Sequence, residues 1–376
     1  MPSSSNLSIL IFVANLDVGG AEWVIVNLCN ELIRSRDINI KLISAKQGRL
    51  IGMLDKEIEV IELRAGIAKS ILPLLKEMIL FKHDFVLVTQ RGAAVVMGII
   101  HAITFSNSQF IVREAAANFH SSLTKKNKLS NTVWRILYKY IYRSADLIIA
   151  NSVSTYKSLI DSHIINPMSP KCKILDNPVN LELIKQKAML PIDGEMKSHF
   201  EGQSTFICIN RLTEVKQVDI IIQAFAVLKE SHPYAILLVV GDGPEKNRLQ
   251  TIVYNLGLTK CIFFLGKLEN PYRYLNISDV LVLASNWEGF GMVVVEALAL
   301  GVNVVTTNNG SGASDIIGNG LYGFLFENKS VESLSKAMIK ALCTPFPRHL
   351  LIERANKYQL KLVVEQYWQA ITGLKK

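Results

Sequence analysis

The feature that most constrains this chain is an alternation that runs, stops and then starts again. Short apolar stretches rich in β-branched residues are separated by longer stretches of helical periodicity. In the first half, Ile9–Asn15, Asn39–Ser44, Phe85–Thr89, Gln109–Arg113 and Leu147–Ala150 read as strands. Ala21–Ser35 reads as a helix with Val24, Leu28 and Leu32 on one face. Strands alternating with helices imply parallel βαβ units. From about Asn180 to Gln203 the rhythm breaks, with Pro191, Gly194 and Gly202 among mixed charges, as in a linker with room for one helix. It then restarts. Phe206–Asn210, Ala235–Val240, Ile262–Leu265, Val280–Ala284 and Val302–Thr306 read as strands, and Val218–Lys229 and Val293–Leu300 as helices. An amphipathic helical tail runs from Arg354 to Gly373. The 376 residues also exceed the roughly 250–300 at which single cores stop growing. The pattern predicts an α/β chain of two doubly wound, Rossmann-like domains. The first spans 1–185, a linker 186–204, the second domain 205–350, and a C-terminal helix 351–376 that could cross back onto the first. Ligands of such sheets bind at the carboxyl ends of the strands, so the expected site is a cleft between the domains.

Composition narrows the class. Hydrophobic residues make up 49% and charged residues 19%, which is too apolar for a disordered chain. The five cysteines (Cys29, Cys172, Cys208, Cys261, Cys343) are scattered and form no C-x-x-C pair, so neither a disulfide framework nor a zinc site is expected. Most sit in apolar surroundings, as buried thiols do, and a reducing cytoplasm suits them. No stretch reaches the ~18 apolar residues of a membrane helix. No Lys or Arg precedes the apolar Leu7–Val13 run, as the start of a signal peptide requires, so a cytoplasmic protein is expected. The net charge of +9 suits either an acidic partner or a solvated, lysine-rich surface.

Two loops carry the chemistry. After the Val280–Ala284 strand comes Ser285-Asn286-Trp287-Glu288-Gly289-Phe290-Gly291-Met292, and Glu296 follows one turn into the next helix. Gly289 and Gly291 let backbone approach a ligand closely. A helix starting near Met292 presents free N–H groups and a positive dipole end, an anion site. Two carboxylates beside such a site fit hydroxyl recognition, since carboxylates accept hydrogen bonds from ribose or sugar OH groups. After the first strand of the second half, Arg211 and Lys216 stand five residues apart, able to converge on a diphosphate as a fork and a point charge.

In order and spacing these residues resemble the GT4 family of retaining glycosyltransferases, which have the GT-B fold. The resemblance is carried by Arg211…Lys216, Gly241-Asp242-Gly243-Pro244, Phe264-Leu265-Gly266 and the Glu288-x7-Glu296 pair. Gly19-Gly20-Ala21-Glu22, Ala145–Ser152 and Asn177-Pro178-Val179 also fit. It implies that the second domain binds a nucleotide-diphospho-sugar and the first an acceptor. Arg211 and Lys216 would hold the diphosphate and stabilise the leaving group. Glu288 would bind the hydroxyls of the transferred sugar and Glu296 those of ribose. Backbone at Gly289, Phe290, Gly291 and Met292 would contact the phosphate or sugar, Lys267 and Leu268 the base, and Gly19 and Gly20 the donor across the cleft. The family commonly works without a metal, and no D-x-D follows a strand here, so neither metal nor other cofactor is expected. Two departures stand out. Asn210 precedes Arg211 where relatives usually have Gly. Arg113 and Glu114 stand where many relatives carry a His. These two are either acceptor or sugar contacts or loop-surface charges. Arg91 is a further acceptor candidate.

From Ser121 to Arg143 there are six basic residues, Lys125, Lys126, Lys128, Arg135, Lys139 and Arg143, and no acidic one. Arg135, Lys139 and Arg143 share a helix face opposite Trp134, Leu137, Tyr138 and Ile141. One reading is docking on an anionic membrane; the other is a helix packed on the sheet with its cations solvated. Docking would suit an acceptor carried on a polyprenyl diphosphate, as in relatives that build bacterial surface polysaccharides, at the inner face of the cytoplasmic membrane. The expected activity is therefore hexosyl or N-acetylhexosaminyl transfer to a lipid-linked or oligosaccharide acceptor. The rivals are a sugar-nucleotide epimerase of the same fold and a non-catalytic nucleotide-sugar-binding subunit. No RNA-binding signature or stacking platform points to nucleic acid.

Overall fold

The computed structural model describes residues 7–17, 19–115, 128–192, 200 and 202–374. The chain divides into two compact units, Met1–Val179 with Leu360–Lys376, and Asn180–Gln359.

The first unit is built on a parallel sheet of seven strands: β1 (Leu7–Val13), β2 (Ile38–Ser44), β3 (Glu59–Glu62), β4 (Phe85–Thr89), β5 (Gln109–Glu114), β6 (Leu147–Ala150) and β7 (Cys172–Ile174). Their order is β3-β2-β1-β4-β5-β6-β7. The central strands are covered on both faces, which is why β1, β4 and β6 are almost wholly apolar. Leu10, Phe12, Val86, Val88, Phe110 and Val112 face α2 (Ile71–Leu80), α3 (Arg91–Ile103), α4 (Lys128–Ser144) and α5 (Val153–Asp161). Their neighbours Ile9, Ile11, Phe85, Leu87 and Ile111 point the other way, into a core with α1 (Gly20–Ser35) and the last helix, Leu360–Thr372. The strand order reverses between β1 and β4.

The second unit repeats the plan with β8 (Thr205–Ile209), β9 (Ile236–Val240), β10 (Ile262–Gly266), β11 (Val280–Leu283), β12 (Asn303–Thr307) and β13 (Phe324–Phe326), ordered β10-β9-β8-β11-β12-β13. Its helices are α6 (Leu181–Ala188), α7 (Val218–Ser231), α8 (Lys246–Asn255), α9 (Tyr272–Asn276), α10 (Met292–Ala299), α11 (Gly312–Ile316), α12 (Val331–Cys343) and α13 (Arg348–Asn356). The helix of the first unit, Leu360–Thr372, is then α14. Here the order reverses between β8 and β11, so the crevice at their carboxyl ends is where a ligand of this unit belongs.

Two expected boundaries move. The units divide after Val179, not at 185, because α6 buries Leu181, Ile184 and Ala188 against α9 and α10. Asn180 caps it, accepting from the Leu183 amide at 3.0 Å. Much of the expected linker therefore belongs to the second unit, where Pro191 O accepts from Arg273 at 2.9 Å and Phe200 packs on Phe263 and Tyr274. The tail is two helices rather than one. The break between α13 and α14 contains Tyr358, which is buried with its ring edge-on to Phe290. Cys29 and Cys208 are buried, and burial pushes both thiols up to about 12, so neither is a thiolate near neutral pH.

Candidate functional site

Five loops at the carboxyl edge of the second sheet meet around the β8/β11 reversal. The loop after β8 is held by the loop after β9. Asn210 N donates to Val240 O at 3.0 Å, and Leu212 N to Asp242 O at 2.9 Å. Gly241 adopts φ +131°, and a Cβ there would lie 1.8 Å from Asn210 O; one at Gly243 would lie 2.2 Å from Leu212 O. Only glycine permits this contact. The expected donor-side turn over Gly241–Pro244 is thus the clamp that shapes the Arg211 loop. Asn210 is itself buried, and its Nδ2 has no hydrogen-bond partner among the described residues. Arg211 is exposed.

The β8 and β11 loops are joined by Asn286 N donating to Val215 O at 2.9 Å. That contact brings the Lys216 ammonium to 2.5 Å from Glu288 Oε2, with both side chains about one-fifth exposed at 21% and 20%. Ser285 Oγ donates to the same oxygen at 3.2 Å. So Lys216, expected to hold a diphosphate together with Arg211, is in contact with the carboxylate expected to hold the sugar. Behind them Gly289 and Phe290 rest on α11. Gly312 N donates to Glu288 O at 3.1 Å, and a Cβ at Gly312 would lie 2.5 Å from Gly289 O. Gly291, at φ +99°, starts α10, whose N-terminus faces this turn with Met292 half-buried. Phe290 packs into the core against Tyr358, so only its backbone is available to a ligand.

On α10, Glu296 Oε1 accepts from the Tyr272 hydroxyl at 3.3 Å. Some of Glu296 remains exposed, yet burial pushes its carboxyl up to about 7, against the lowering effect of Tyr272. Burial likewise raises the Tyr272 hydroxyl. Lys267, exposed, and Leu268, half-buried, follow β10 at the same edge, two strands from β8.

In the first unit, Gly19 and Gly20 lie after β1, at that sheet's own reversal. A Cβ at Gly19 would lie 2.4 Å from Glu22 Oε2. Glu22 Oε1 accepts from Gln90 Nε2 at 3.0 Å, and Gln90 Oε1 from Ala14 N at 3.0 Å, so the β1 and β4 loops are tied together. Burial raises the Glu22 carboxyl. Arg113 and Glu114 are not loop-surface charges. β5 runs through both, pairing them with Ile149 and Ala150, and they are 1% and 3% exposed. Strand alternation sends them to opposite faces. Arg113 donates to Asn177 Oδ1 at 2.6 Å and to the Tyr367 hydroxyl at 3.2 Å. Glu114 Oε2 accepts from Tyr142 at 2.6 Å and from Arg91 Nε at 3.0 Å.

The family model for glycosyl transferases group 1 matches residues 194–358. A Methanocaldococcus jannaschii protein, "Uncharacterized glycosyltransferase MJ1059", is 33% identical over 192 residues, 51% of this chain and 47% of its own length. The chain thus spans about half of that relative. The Campylobacter jejuni N-acetylgalactosamine-N,N'-diacetylbacillosaminyl-diphospho-undecaprenol 4-alpha-N-acetylgalactosaminyltransferase is 28% identical over 341 residues, 87% of this chain and 88% of its own. The crystal structure of Anabaena Alr3699/HepE in complex with UDP superposes with a TM-score of 0.77 at 19% identity, covering 98% of this chain and 100% of that one. The architecture is GT-B, with two Rossmann-like units.

Within the matched segment, sequence reasoning overlooked the loop after β12. Asn309 Nδ2 donates to the backbone oxygens of Ser285 and Asn286 at 3.1 and 2.8 Å, and Asn328 Nδ2 to Asn286 Oδ1 at 2.9 Å. These amides fix the turn that carries Glu288. The signal was the Asn308-Asn309-Gly310-Ser311-Gly312 cluster straight after an apolar strand.

Proposed function

We propose that the protein is a retaining glycosyltransferase that moves a sugar from a nucleotide-diphospho-sugar to a hydroxyl of a lipid-linked glycan, without metal, at the cytoplasmic face of a membrane. The observation that carries this reading is the Lys216–Glu288–Ser285 contact at the β8/β11 reversal, beside the N-terminus of α10. A cation, a hydroxyl-accepting carboxylate and a helix dipole gathered at one turn suit a sugar bonded to a phosphate.

Arg211, Lys216 and the α10 N-terminus bind the diphosphate, and Lys216 shares its charge between Glu288 and the phosphate when donor arrives. Glu288 accepts from hydroxyls of the transferred sugar, and Glu296 from the ribose hydroxyls. Lys267 and Leu268 lie against the base. The acceptor oxygen attacks the anomeric carbon on the face the diphosphate leaves. The C–O bond to phosphate breaks, the new glycosidic bond forms, and the hydroxyl proton passes to the departing phosphate oxygen. Preorganised cations stabilise the charge growing on that oxygen.

The acceptor class is supported by the diphospho-undecaprenol named for the C. jejuni relative. Peripheral membrane binding is supported by α4. It turns Tyr138 and Ile141 inward and leaves Val133, Arg135, Ile136, Tyr140 and Arg143 exposed, a mixture of apolar and basic groups suited to an anionic interface. Lys139 is half-buried, and Lys125, Lys126 and the Lys128 side chain lie outside the described residues. No helix among the described residues is long and apolar enough to cross a membrane.

The test offers a panel of labelled nucleotide sugars to the purified chain with membrane lipid extract and scores labelled lipid. One nucleotide sugar is expected to give product, and Lys216→Ala to lower its rate about 10²–10³-fold. Label lost from the donor with no acceptor present would favour an epimerase or hydrolase instead.

A further inference from the structure

The donor site leaves unused a basic hollow in the first unit, at the carboxyl ends of β2 and β3. Its lining includes Lys46, Gln47, Arg64, Gly66 and Lys69, with three cations and no acid. All three cations are exposed, and among the described residues none of them forms an ion pair. Like charges gathered this way disfavour one another until an anion arrives.

The hollow is held by backbone. Leu63 N donates to Ser44 O at 2.9 Å and Ala65 N to Ala45 O at 2.7 Å. Between these two bonds Arg64 is fixed at φ +49°, a left-handed conformation that costs a side-chain-bearing residue energy and recurs at ligand clamps. On the Lys46 side, Ser44 Oγ donates to Lys46 O at 2.7 Å and Ala45 N to Val13 O at 3.0 Å.

A second observation concerns what adjoins it. Gly66–Lys69 lead directly into α2, whose outer row is apolar apart from the exposed Lys76. Leu72, Ile79 and Leu80 are 76%, 66% and 60% exposed, and Phe81 just beyond is 51% exposed. Glu77, the single acid between residues 63 and 81, is buried and bound by Lys41 and His83 at 3.0 Å each. The outer surface of this segment therefore bears no negative charge. A water-facing helix normally shows more charged and polar residues on that side than this single lysine. A basic hollow continuous with an apolar ridge is the complement of an amphiphile with an anionic head.

We propose that Lys46, Arg64 and Lys69 bind the phosphate groups of the lipid-linked acceptor, and that its hydrocarbon chain runs along the outer row of α2. The identity of the amphiphile as acceptor rests on the transferase reading above. Lysines contribute point charges and Arg64 a fork for phosphate oxygens.

The test titrates farnesyl diphosphate, inorganic pyrophosphate and farnesol into the full chain by calorimetry, without detergent. Farnesyl diphosphate is expected to bind at least tenfold more tightly than pyrophosphate, and farnesol to give no heat. The K46A/R64A/K69A variant should weaken both phosphate ligands at least tenfold. The L72S/I79S variant should weaken farnesyl diphosphate alone. UDP, GDP and ADP titrated into the same variants report separately on the donor site and on folding. Wild-type affinity for farnesyl diphosphate in the triple-alanine variant would overturn the proposal, as would pyrophosphate binding as tightly as farnesyl diphosphate, the mark of a free-phosphate site. If no nucleotide binds while farnesyl diphosphate still depends on the three cations, the pocket stands and the transferase reading falls.

Discussion

Glu296 is the residue whose charge state the fold sets most visibly. Its carboxyl is raised from 4.5 to about 7 by burial. The folded chain therefore binds more protons at this site than the unfolded chain between those values. Stability is thus highest below about 4.5, falls as pH rises to 7, and stays lower above it, with a difference of up to about 3 kcal/mol. Glu296→Gln is expected to flatten this slope, read from denaturant midpoints at pH 5 and pH 8. If ribose hydroxyls donate to the ionised form, nucleotide affinity should rise with pH through about 7 and binding should release a proton. Calorimetry in two buffers of different ionisation enthalpy checks this. Asn210 gives a second residue-scale expectation. An unpartnered buried Nδ2 costs roughly 1–3 kcal/mol until something accepts from it. Asn210→Ala should leave the melting temperature unchanged or higher, yet weaken nucleotide binding about tenfold. Equal affinity would mean that the amide meets no ligand. That Arg211, Lys216 and Glu288 stand in loops straight after strands was readable from residue type and spacing. Their mutual geometry was not, because Lys216 and Glu288 are 72 residues apart and meet only through the Asn286–Val215 bond. Arg113 misled for a similar reason. A charge at the end of an apolar strand looks solvent-facing until Tyr367, 254 residues away, supplies its partner.

At the scale of elements, long apolar strands such as β1 and β9 announced themselves because a strand covered on both faces must be apolar throughout. β3, β7 and β13 did not. They are edge strands or next to none in length, at 4, 3 and 3 residues, too short for any periodicity to register. Glycines show how tightly elements are fitted. Gly98 on α3 sits where a Cβ would lie 2.7 Å from Ile141 Cδ1 and 3.3 Å from Phe110, so α4 packs directly on α3 there. Gly241 is the sharper case, since both its φ and its contact with Asn210 O reject a side chain. Gly241→Ala is expected to cost more than about 2 kcal/mol, and to disturb nucleotide binding through the Arg211 loop. Thermal melts with and without nucleotide measure both effects.

For the whole molecule, the decisive feature is that α14 belongs to the first unit although the entire second unit precedes it. Val363, Val364, Tyr367, Ala370 and Ile371 are buried against α1 and the sheet. Removing residues 360–376 should therefore destabilise the first unit while leaving the second folded. Hydrogen exchange resolved by segment would register faster exchange in β1, β5 and α1. Equal protection in both units would contradict the assignment of α14.

That placement also bears on how the chain comes into being. A ribosome adds roughly 5–20 residues per second, and α14 begins 181 residues after Val179, the last residue of the first unit's earlier segment. The first sheet must then wait on the order of ten seconds or more with its α14-facing side uncovered. The second unit, continuous from Asn180 to Gln359, has all its parts sooner. The half of the protein that is made first is thus expected to mature last, and a nascent chain halted before Leu360 offers a chaperone the bare apolar surface of one nearly finished domain.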